Sequence, residues 1–363
     1  MKIVSVIGAR PQFIKCAPLS RELRKLHQEI IIHTGQHYDY DMDKVFFDEM
    51  AIPEPDYNLE VGSGTHGAQT GEMLKKIEQI LMKEKPDLVL VYGDTNSTLA
   101  GALATVKLQI KIGHVEAGLR SFDKTMPEEI NRILTDHCSD YLFCPTTTSV
   151  DNLKKEGIDG SVHLTGDIMV DALEYNKDAA ERSGILGKLG LEARQYLVAT
   201  VHRQSNTDSE TNLRNIVDAC MEIDEVIVFP LHPRTEKYLK AYGLYERLQE
   251  KVRLIKPLGY LDFLKLMNNA RRILTDSGGI QKEAYILGVP CITLRENTEW
   301  VETVEDGWNV LVGVDKERIV KMAREFEPAG EQRNLFGQGA CKNIIEILGS
   351  NYLLQLCLIK HFQ

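Results

Sequence analysis

The sequence lacks the long apolar segments that mark membrane and secreted proteins. No stretch approaches the ~18 consecutive apolar residues of a membrane span, and the apolar part of the C-terminus, residues 352–359, is far too short. The N-terminus enters a strand pattern at Ile3 without the long apolar core of a signal peptide. We therefore expect a cytoplasmic protein without a membrane partner.

Paired cysteines are also missing. The seven cysteines form no C-x-x-C pair, and their number is odd. Most have apolar neighbours, as in the segments around Cys144 and Cys291. This pattern predicts reduced, buried thiols that behave as small apolar side chains.

Positive charge is in deficit, with 43 Lys and Arg against 53 Asp and Glu and a net charge of −10. So acidic a chain is a poor general binder of nucleic acid or anionic membranes, although it can still carry a local basic pocket for a phosphate. The content of 43% hydrophobic and 26% charged residues excludes a disordered chain, a collagen-like repeat and a small disulfide scaffold. A length of 363 residues suggests two or three domains.

Short apolar runs alternate with helical patterns along the whole chain, as expected of parallel strands buried on both faces. The predicted strands are 3–8, 30–34, 88–92, 112–115, 141–144, 197–201, 226–230, 252–255, 273–275, 291–294 and 310–312. The clearest amphipathic helix pattern is 68–83. The alternation predicts an α/β protein with two Rossmann-like, doubly wound parallel sheets facing a cleft, which is the GT-B arrangement.

A glycine-bearing stretch without a long apolar run, residues 178–194, is the predicted domain boundary. We expect an N-terminal domain over residues 1–178, a C-terminal domain over 179–345 and a tail over 346–363. In such folds ligands bind beyond the carboxyl ends of the strands, so the residues that follow each strand are the candidates for chemistry.

The first strand is followed by Gly8, Arg10 and Lys15 at a helix start. A helix N-terminus with two cations makes an anion site, and the alternative is that both cations are solvated surface charges. The segment matches neither G-x-G-x-x-G nor the Walker pattern, which argues against a dinucleotide-binding site or an ATP-binding site here.

Carboxylates follow the next strands. Asp94 comes after the strand 88–92, Glu116 after 112–115, and Glu128 and Glu129 open a helix pattern behind Pro127. Capping of helix N-termini is the alternative role for each carboxylate, and Thr95, Asn96 or Ser97 could cap in place of Asp94. Glu128 and Arg132 have the spacing of a surface ion pair. Clustered carboxylates raise one another's pKa, which suits proton transfer to and from carbon. No Asp-x-Asp run or EF-hand loop supports a metal site.

In the second half, His202 and His232 each follow a strand. A structural role is favoured for His232, which precedes a proline. The stretch Ser277-Gly278-Gly279 lies between a strand and a helix, where backbone N–H groups can hold a phosphate. Glu283, further along that helix, has the position to accept hydrogen bonds from a ribose.

Taken together these motifs resemble one family, the non-hydrolysing UDP-N-acetylglucosamine 2-epimerases. The matching segments are 8–11, 93–95, 114–120, 127–132, 201–203 and 275–283, in the family's order. The resemblance spans about residues 1–345. It implies an enzyme, usually a homodimer, that inverts C2 of a UDP-linked 2-acetamido sugar for cell-surface polysaccharide precursors.

The resemblance implies a reaction without a metal or nicotinamide cofactor. The C2 proton and UDP are lost to give a bound 2-acetamidoglucal, and UDP then adds back while C2 is reprotonated on the other face. Asp94, Glu116 and Glu128 are the implied acids and bases, and His202 assists the UDP leaving group. The implied binding residues are Arg10, Lys15, Ser277, Gly278 and Gly279 for the diphosphate, Glu283 for the ribose, Phe263 for the uracil, and Arg132.

Three positions depart from the common pattern. Gln12 replaces a usual Glu, and Trp300-Val301 replaces a usual Arg-Pro. Both variants resemble the branch that acts on UDP-2,3-diacetamido-2,3-dideoxy-glucuronate, and Trp300 could line an added 3-acetamido group or pack in the core. Residues 204–206 depart where several members bind a regulatory UDP-GlcNAc, which weakens an expectation of allostery. The rival readings are a GT-B glycosyltransferase, a hydrolysing 2-epimerase and an inactive nucleotide-sugar sensor.

Overall fold

A computed structural model describes residues 1–36, 47 and 49–361, with side chains of the last helix described as far as residue 350. The chain forms two compact units. The first unit is Met1–Tyr175 together with Leu335–Gln363, and the second unit is Asn176–Asn334. Each unit is built on one sheet.

The sheet of the first unit is parallel, with the order β3-β2-β1-β4-β5-β6-β7. Its strands are β1 (Lys2–Ile7), β2 (Gln28–His33), β3 (Tyr57–Asn58), β4 (Leu88–Tyr92), β5 (Lys111–Val115), β6 (Tyr141–Cys144) and β7 (Val162–Leu164). Because the order reverses between β1 and β4, the carboxyl ends of these two strands flank the switch point where such sheets bind ligands.

The described helices of the first unit connect these strands. They are α1 (Arg10–Leu26), α2 (His66–Glu84), α3 (Asn96–Lys107), α4 (Pro127–Cys138), α5 (Thr147–Lys155) and the C-terminal α16 (Ala340–His361). Helix α6 (Ile168–Glu181) runs from the first unit into the second.

The second unit repeats the scheme with the order β10-β9-β8-β11-β12-β13, again with parallel pairs. Its strands are β8 (Tyr196–Thr200), β9 (Val226–Pro230), β10 (Arg253–Ile255), β11 (Arg272–Thr275), β12 (Cys291–Thr293) and β13 (Asn309–Leu311). Its helices are α7 (Ile185–Leu189), α8 (Gln204–Thr207), α9 (Glu210–Glu222), α10 (Pro233–Ala241), α11 (Tyr245–Gln249), α12 (Tyr260–Asn268), α13 (Gly278–Ile286), α14 (Val301–Glu305) and α15 (Lys316–Glu325). Here the switch point lies between β8 and β11.

The elements follow the apolar pattern of the sequence. Every predicted strand is present within two residues of its expected bounds, and the predicted helix 68–83 is α2. The apolar face of α2, with Met73, Ile77 and Leu81, is fully buried against the sheet. Strands β3 and β7 were missed because they are only two and three residues long and are not fully buried.

The C-terminal segment differs from the predicted division of the chain. Residues from Leu335 onward return to the first unit, rather than closing the second domain at 345. Helix α16 packs on α1, and the carboxylate of Asp171 accepts hydrogen bonds from the backbone N–H groups of Gly339 and Cys341 at its start. A local sequence pattern cannot show which distant carboxylate caps a helix, so this assignment needed the tertiary structure.

The six cysteines whose side chains are described are free, and five of them are buried. Burial raises the pKa of Cys144, Cys220 and Cys291 to about 12, so these thiols are unreactive at neutral pH. Cys357 lies outside the described side chains. Among the described residues, no helix combines the length and apolar character needed to cross a membrane.

Candidate active site

The turn after β1 is held by a buried amide. Gln12 accepts hydrogen bonds at Oε1 from the backbone N–H groups of Gly8 (2.9 Å) and Ala9 (3.1 Å). Its Nε2 donates to the carbonyl of Tyr92 (3.1 Å) and to Thr98 Oγ1 (3.1 Å). The amide therefore connects the start of α1 to the turn after β4. It also occupies two backbone N–H groups at this helix start, which are then not available to bind a phosphate.

An ion pair joins Lys15 of α1 to Glu116, which follows β5. Lys15 Nζ lies 2.8 Å from Glu116 Oε2, and both side chains are less than one-tenth exposed. The same ammonium lies beside Gly93, 3.4 Å from the position a Cβ would take there. Lys15, predicted to bind a diphosphate, thus contacts a predicted acid/base carboxylate. A close ammonium favours the ionised carboxylate, which is the form that can accept a proton.

Glu116 occupies an unusual backbone conformation. Its φ is +73°, a left-handed conformation that residues with a Cβ rarely adopt. The backbone N–H groups of Glu116 and Ala117 both donate to the carbonyl of Phe143 at 3.1 Å. Two residues on, Gly118 has a φ of +79°, and a Cβ there would lie 2.3 Å from the carbonyl oxygen of Ser149. Neighbouring elements therefore hold this turn in a strained form, as often occurs at functional sites.

Asp94 lies in the turn after β4 and does not cap a helix. Thr95 is the N-cap of α3 and accepts a hydrogen bond from the backbone N–H of Thr98, as one of the sequence alternatives proposed. The Asp94 carboxylate instead pairs with Arg132 of α4, whose Nη2 lies 2.5 Å from Asp94 Oδ2. Asn131 of the same helix donates to the Asp94 carbonyl at 2.9 Å.

Arg132 also pairs with Glu129, at 2.8 Å from Nη1 to Oε2. This guanidinium is 2% exposed and pairs with Glu129 and Asp94, so the surface setting suggested for a Glu128–Arg132 pair is not the one observed. Arg132 was predicted to bind substrate. Its present partners place it behind Asp94, where it orients that carboxylate.

The two adjacent glutamates of α4 have different environments. Glu129 is 1% exposed and accepts hydrogen bonds from Ser121 N, Ser121 Oγ and Phe122 N at 2.9–3.0 Å. This carboxylate holds the loop before α4. Glu128 is only partly buried, in the first turn of the helix behind Pro127. Of the pair, Glu128 is the carboxylate that a ligand can reach.

Sequence reasoning missed a buried network behind this site. His114 Nδ1 lies 2.7 Å from Asp136 Oδ1, and His114 Nε2 lies 2.7 Å from the Gly93 carbonyl oxygen. Asp136 Oδ2 accepts from Arg120 Nη1 at 2.7 Å and from Gly118 N at 3.1 Å. A histidine inside an apolar strand was the available signal, since a buried imidazole needs hydrogen-bond partners. Nothing in the sequence identified Asp136 as that partner.

In the second unit, the buried carboxylate of Asp276 organises the switch point. It accepts hydrogen bonds from the backbone N–H groups of His202 (3.0 Å to Oδ2) and Arg203 (3.0 Å), and from Asn206 Nδ2 (3.1 Å). These contacts join the end of β11 to the turn after β8. Asp276 was not among the predicted site residues, although it directly precedes the predicted phosphate turn.

The imidazole of His202 stands at the edge of this network. Its Nδ1 lies 3.6 Å from Asp276 Oδ1, and the side chain is 39% exposed. The ring of His232 packs near it, with centroids 5.6 Å apart. His232 accepts a hydrogen bond from the backbone N–H of Arg234 and so caps α10, which agrees with the structural role favoured for it.

The predicted phosphate turn opens helix α13. Ser277 is its N-cap and accepts from the Ile280 N–H. The carboxylate of Glu299 lies against Gly278, where a Cβ would come 1.8 Å from Glu299 Oε1. Arg295 Nη1 lies 2.9 Å from Glu299 Oε2. The helix start thus already faces an anionic group, the charge that its exposed N–H groups prefer.

The remaining predicted residues of the second unit lie on α12 and α13. Glu283 is buried, and Phe263 is half-buried on α12. Burial, and secondarily the Glu283 carboxylate, raise the pKa of Tyr260 well above its ordinary value. The predicted site residues therefore form two groups, one at each switch point.

Comparison with known proteins decides the family. The family profile described as UDP-N-acetylglucosamine 2-epimerase matches residues 21–349. A UDP-N-acetylglucosamine 2-epimerase homolog of Methanococcus maripaludis is 60% identical, over 96% of this chain and 99% of that protein. The chain belongs to the UDP-N-acetylglucosamine 2-epimerase family. The predicted family and its isomerase activity class are confirmed.

Two further members of the family bear on the fold and on the substrate. The crystal structure of the Methanocaldococcus jannaschii UDP-GlcNAc 2-epimerase, in complex with UDP-GlcNAc and UDP, has a TM-score of 0.92 and 49% identity. The match covers 96% of this chain and 100% of that one, and it confirms the predicted GT-B-like α/β class. The UDP-2,3-diacetamido-2,3-dideoxy-D-glucuronate 2-epimerase of Pseudomonas aeruginosa is 50% identical, over 96% of this chain and 99% of that enzyme.

Two of the three residues that mark this chain as a variant within the epimerase family, Gln12 and Trp300, are buried, whereas Val301 is 38% exposed. Gln12 is 1% exposed and its amide is hydrogen-bonded at both ends, so its side chain is not available to a substrate. Trp300 is 2% exposed, and Lys282 Nζ lies 4.4 Å from its ring centroid. The alternative in which Trp300 packs in the core is therefore the one observed.

No group of three or more His, Cys, Asp or Glu side chains in the described part of this epimerase could hold a metal ion. The acidic groups of the first unit are arranged otherwise. Asp94 pairs with Arg132 and Glu116 pairs with Lys15.

Proposed function

We propose that the chain inverts C2 of a UDP-linked 2-acetamido sugar without net hydrolysis. The supporting observation is the pair of carboxylates, Asp94 and Glu116, that follow the adjacent strands β4 and β5 and are each paired with a cation. Lys15 and Arg132 hold them at defined positions beside the switch point. Two oriented carboxylates are what removal and return of a carbon-bound proton require.

The reaction proceeds by elimination and addition. A carboxylate removes the C2 proton, the C1–O bond to UDP breaks, and the electron pair forms the C1–C2 double bond of a 2-acetamidoglucal. A UDP oxygen then attacks C1 while a carboxylic acid delivers a proton to the opposite face of C2. Asp94, Glu116 and the partly exposed Glu128 are the acids and bases of these two steps.

The second unit binds UDP in this proposal. Backbone N–H groups of Ser277, Gly278 and Gly279 hold the diphosphate. Glu283 accepts from the ribose, Phe263 stacks on the uracil, and His202 assists departure of UDP. The α13 start supports this role, because a glycine turn behind the N-cap Ser277 lets backbone N–H groups of the helix N-terminus approach an anion.

Proton exchange with solvent tests the reaction. In D₂O, with UDP-GlcNAc and no acceptor, we expect deuterium at C2 of both epimers, followed by NMR. Products without deuterium at C2 would contradict the mechanism. Turnover that requires an acceptor would instead indicate a glycosyltransferase, and irreversible release of UDP would indicate a hydrolysing epimerase.

We further propose that the 2,3-diacetamido-glucuronate nucleotide is a better substrate than UDP-GlcNAc. This choice rests on the resemblance of Gln12 and Trp300 to that branch. Both side chains are buried, so we use them as markers of the branch and not as substrate contacts. A side-by-side assay should give the higher kcat/KM for the diacetamido uronate. The opposite order would reject the substrate and leave the reaction type intact.

A homodimer that supplies precursors for cell-surface polysaccharides is also part of the proposal, on the strength of the family resemblance alone. Sedimentation of the full-length chain tests its oligomeric state. A monomer that is fully active would contradict the dimer.

A further inference from the structure

His114 is a buried histidine with an acceptor at each ring nitrogen. It lies near the end of β5, two residues before Glu116, and its side chain is 0% exposed. Nε2 is 2.7 Å from the Gly93 carbonyl oxygen, and Nδ1 is 2.7 Å from Asp136 Oδ1. A carbonyl oxygen can only accept a hydrogen bond, so Nε2 must carry a proton.

The state of Nδ1 depends on Asp136. Burial alone would raise the pKa of this carboxyl group, but His114 and Arg120 beside it hold the pKa below its ordinary value. Its Oδ2 already accepts from Arg120 and from the Gly118 N–H. An ionised carboxylate can only accept, so Nδ1 must also carry a proton, and the ring is an imidazolium.

The charges around His114 balance only in that state. Arg120 forms two hydrogen bonds of 2.7 Å to the carboxylate of Glu156, besides its contact with Asp136. With His114 protonated, the network holds two positive and two negative groups. Elsewhere in the site, Lys15 pairs with Glu116, whereas Arg132 pairs with two carboxylates, Asp94 and Glu129, so that group carries one net negative charge.

The histidine connects the two turns that carry the candidate catalytic carboxylates. The peptide group of Gly93 donates its N–H to the Val115 carbonyl at 3.0 Å and accepts from His114 at its own carbonyl. Asp94 follows directly. Asp136 lies one helical turn after Arg132 on α4, so the same helix fixes the Asp94 side chain through Arg132 and its backbone through Asp136 and His114.

We propose that His114 donates hydrogen bonds from both ring nitrogens, to Asp136 and to the Gly93 carbonyl, and is the positioning residue that fixes Asp94 relative to Glu116. The proposal rests on the proposed proton-transfer function for its kinetic consequence, but not for the protonation state itself. Misplacement of a catalytic group by about 1 Å can cost about 100-fold in rate, which sets the scale expected when this connection is lost.

The protonation state is measured first, on the full-length protein with ¹⁵N-labelled histidine. Among the ten histidines, His114 is assigned by its disappearance in His114→Gln. At neutral pH both ring nitrogens should show the protonated chemical shift, because each faces a hydrogen-bond acceptor. A ring nitrogen of His114 without a proton in the wild type would overturn the proposal, whether or not the protein is an epimerase.

Kinetics test the positioning role. His114→Gln should lower kcat for C2 epimerisation about 100-fold, while calorimetry gives an unchanged affinity for UDP. The matched control is His137→Gln, since His137 is a half-exposed histidine that contacts only the outer end of the network at Glu156. Wild-type kcat in His114→Gln, or an equal loss in the control, would overturn the role.

Asp136→Asn supplies the independent readout. The amide removes the negative charge that Nδ1 faces, so the ¹⁵N shift of Nδ1 should move away from its wild-type value and kcat should fall while UDP affinity stays constant. An Nδ1 shift and a kcat identical to those of the wild type would count against the proposal. Should this variant fail to fold, the wild-type ¹⁵N shifts still decide the protonation state.

Discussion

The switch points of the two sheets have the same type of strand order, but different chemical groups surround them. In the first unit, side-chain charges dominate: Lys15 pairs with Glu116, and Arg132 pairs with Asp94. In the second unit, backbone groups dominate, because Asp276 accepts from two successive backbone N–H groups and a glycine turn opens α13. The same strand order thus supports two kinds of site.

The difference suits two kinds of chemistry. Carboxylates paired with cations have defined positions, as acids and bases need. Backbone N–H groups do not titrate, so they suit the binding of an anion whose charge stays constant. We therefore expect substitutions in the first unit to affect turnover and those in the second to affect UDP binding.

The largest effect is expected from Asp94→Asn and Glu116→Gln. Each amide should lower kcat by at least about 100-fold, the usual contribution of a positioned acid or base, while UDP affinity stays constant in calorimetry. Asp151→Asn, an exposed carboxylate of the same unit, is the control. Near wild-type turnover of both amides would return Asp94 and Glu116 to a structural role.

The next effect separates two adjacent glycines of the α13 turn. A Cβ at Gly278 would collide with the Glu299 carboxylate, whereas one at Gly279 would meet Ser277 Oγ at an ordinary 3.9 Å. Gly278→Ala should weaken UDP binding about tenfold, as expected for loss of about 1.5 kcal/mol from hydrogen bonds to a charged group, and Gly279→Ala should weaken it less. Equal UDP affinities for the two variants would argue against a phosphate at this turn.

A smaller effect concerns stability in the first unit. Gln12→Glu replaces the donor to Tyr92 and Thr98 by a carboxylate, which should reduce the free energy of unfolding by about 1–3 kcal/mol. The loss should be smaller at pH 5 than at pH 8, because a protonated carboxyl group can still donate. Gln109→Glu, at an exposed position, is the control. Equal stability of both variants in denaturant would show that the Gln12 amide contacts contribute little.

The smallest effect is a difference in acid stability between the units. The pKa of Asp136 is lowered in the fold, so its contribution to stability is present above the unfolded value of about 3.9 and is lost as pH falls through the lower folded value. Both tryptophans, Trp300 and Trp308, lie in the second unit, so their fluorescence reports that unit alone. On acidification, far-UV circular dichroism should change before the fluorescence. Coincident transitions would contradict separate acid responses.

The sequence was a good guide where the signal is local. Apolar runs placed the strands, and the residues after them, such as Asp94, Glu116 and Ser277, were proposed as site residues because chemistry follows strand ends in this class of sheet. It did not show the partners of these residues within the protein. Lys15, predicted to contact a phosphate, and Arg132, predicted to contact substrate, both contact carboxylates in the structure.

By itself, the sequence determined the α/β class, the family and the candidate carboxylates, because hydrophobic periodicity and short motifs are properties of neighbouring residues. Only the tertiary structure decided that Gln12 joins two turns, that α16 returns to the first unit, and that His114 meets Asp136. These contacts link residues far apart in the chain. They form only when packing brings buried polar groups together and requires each to find a partner.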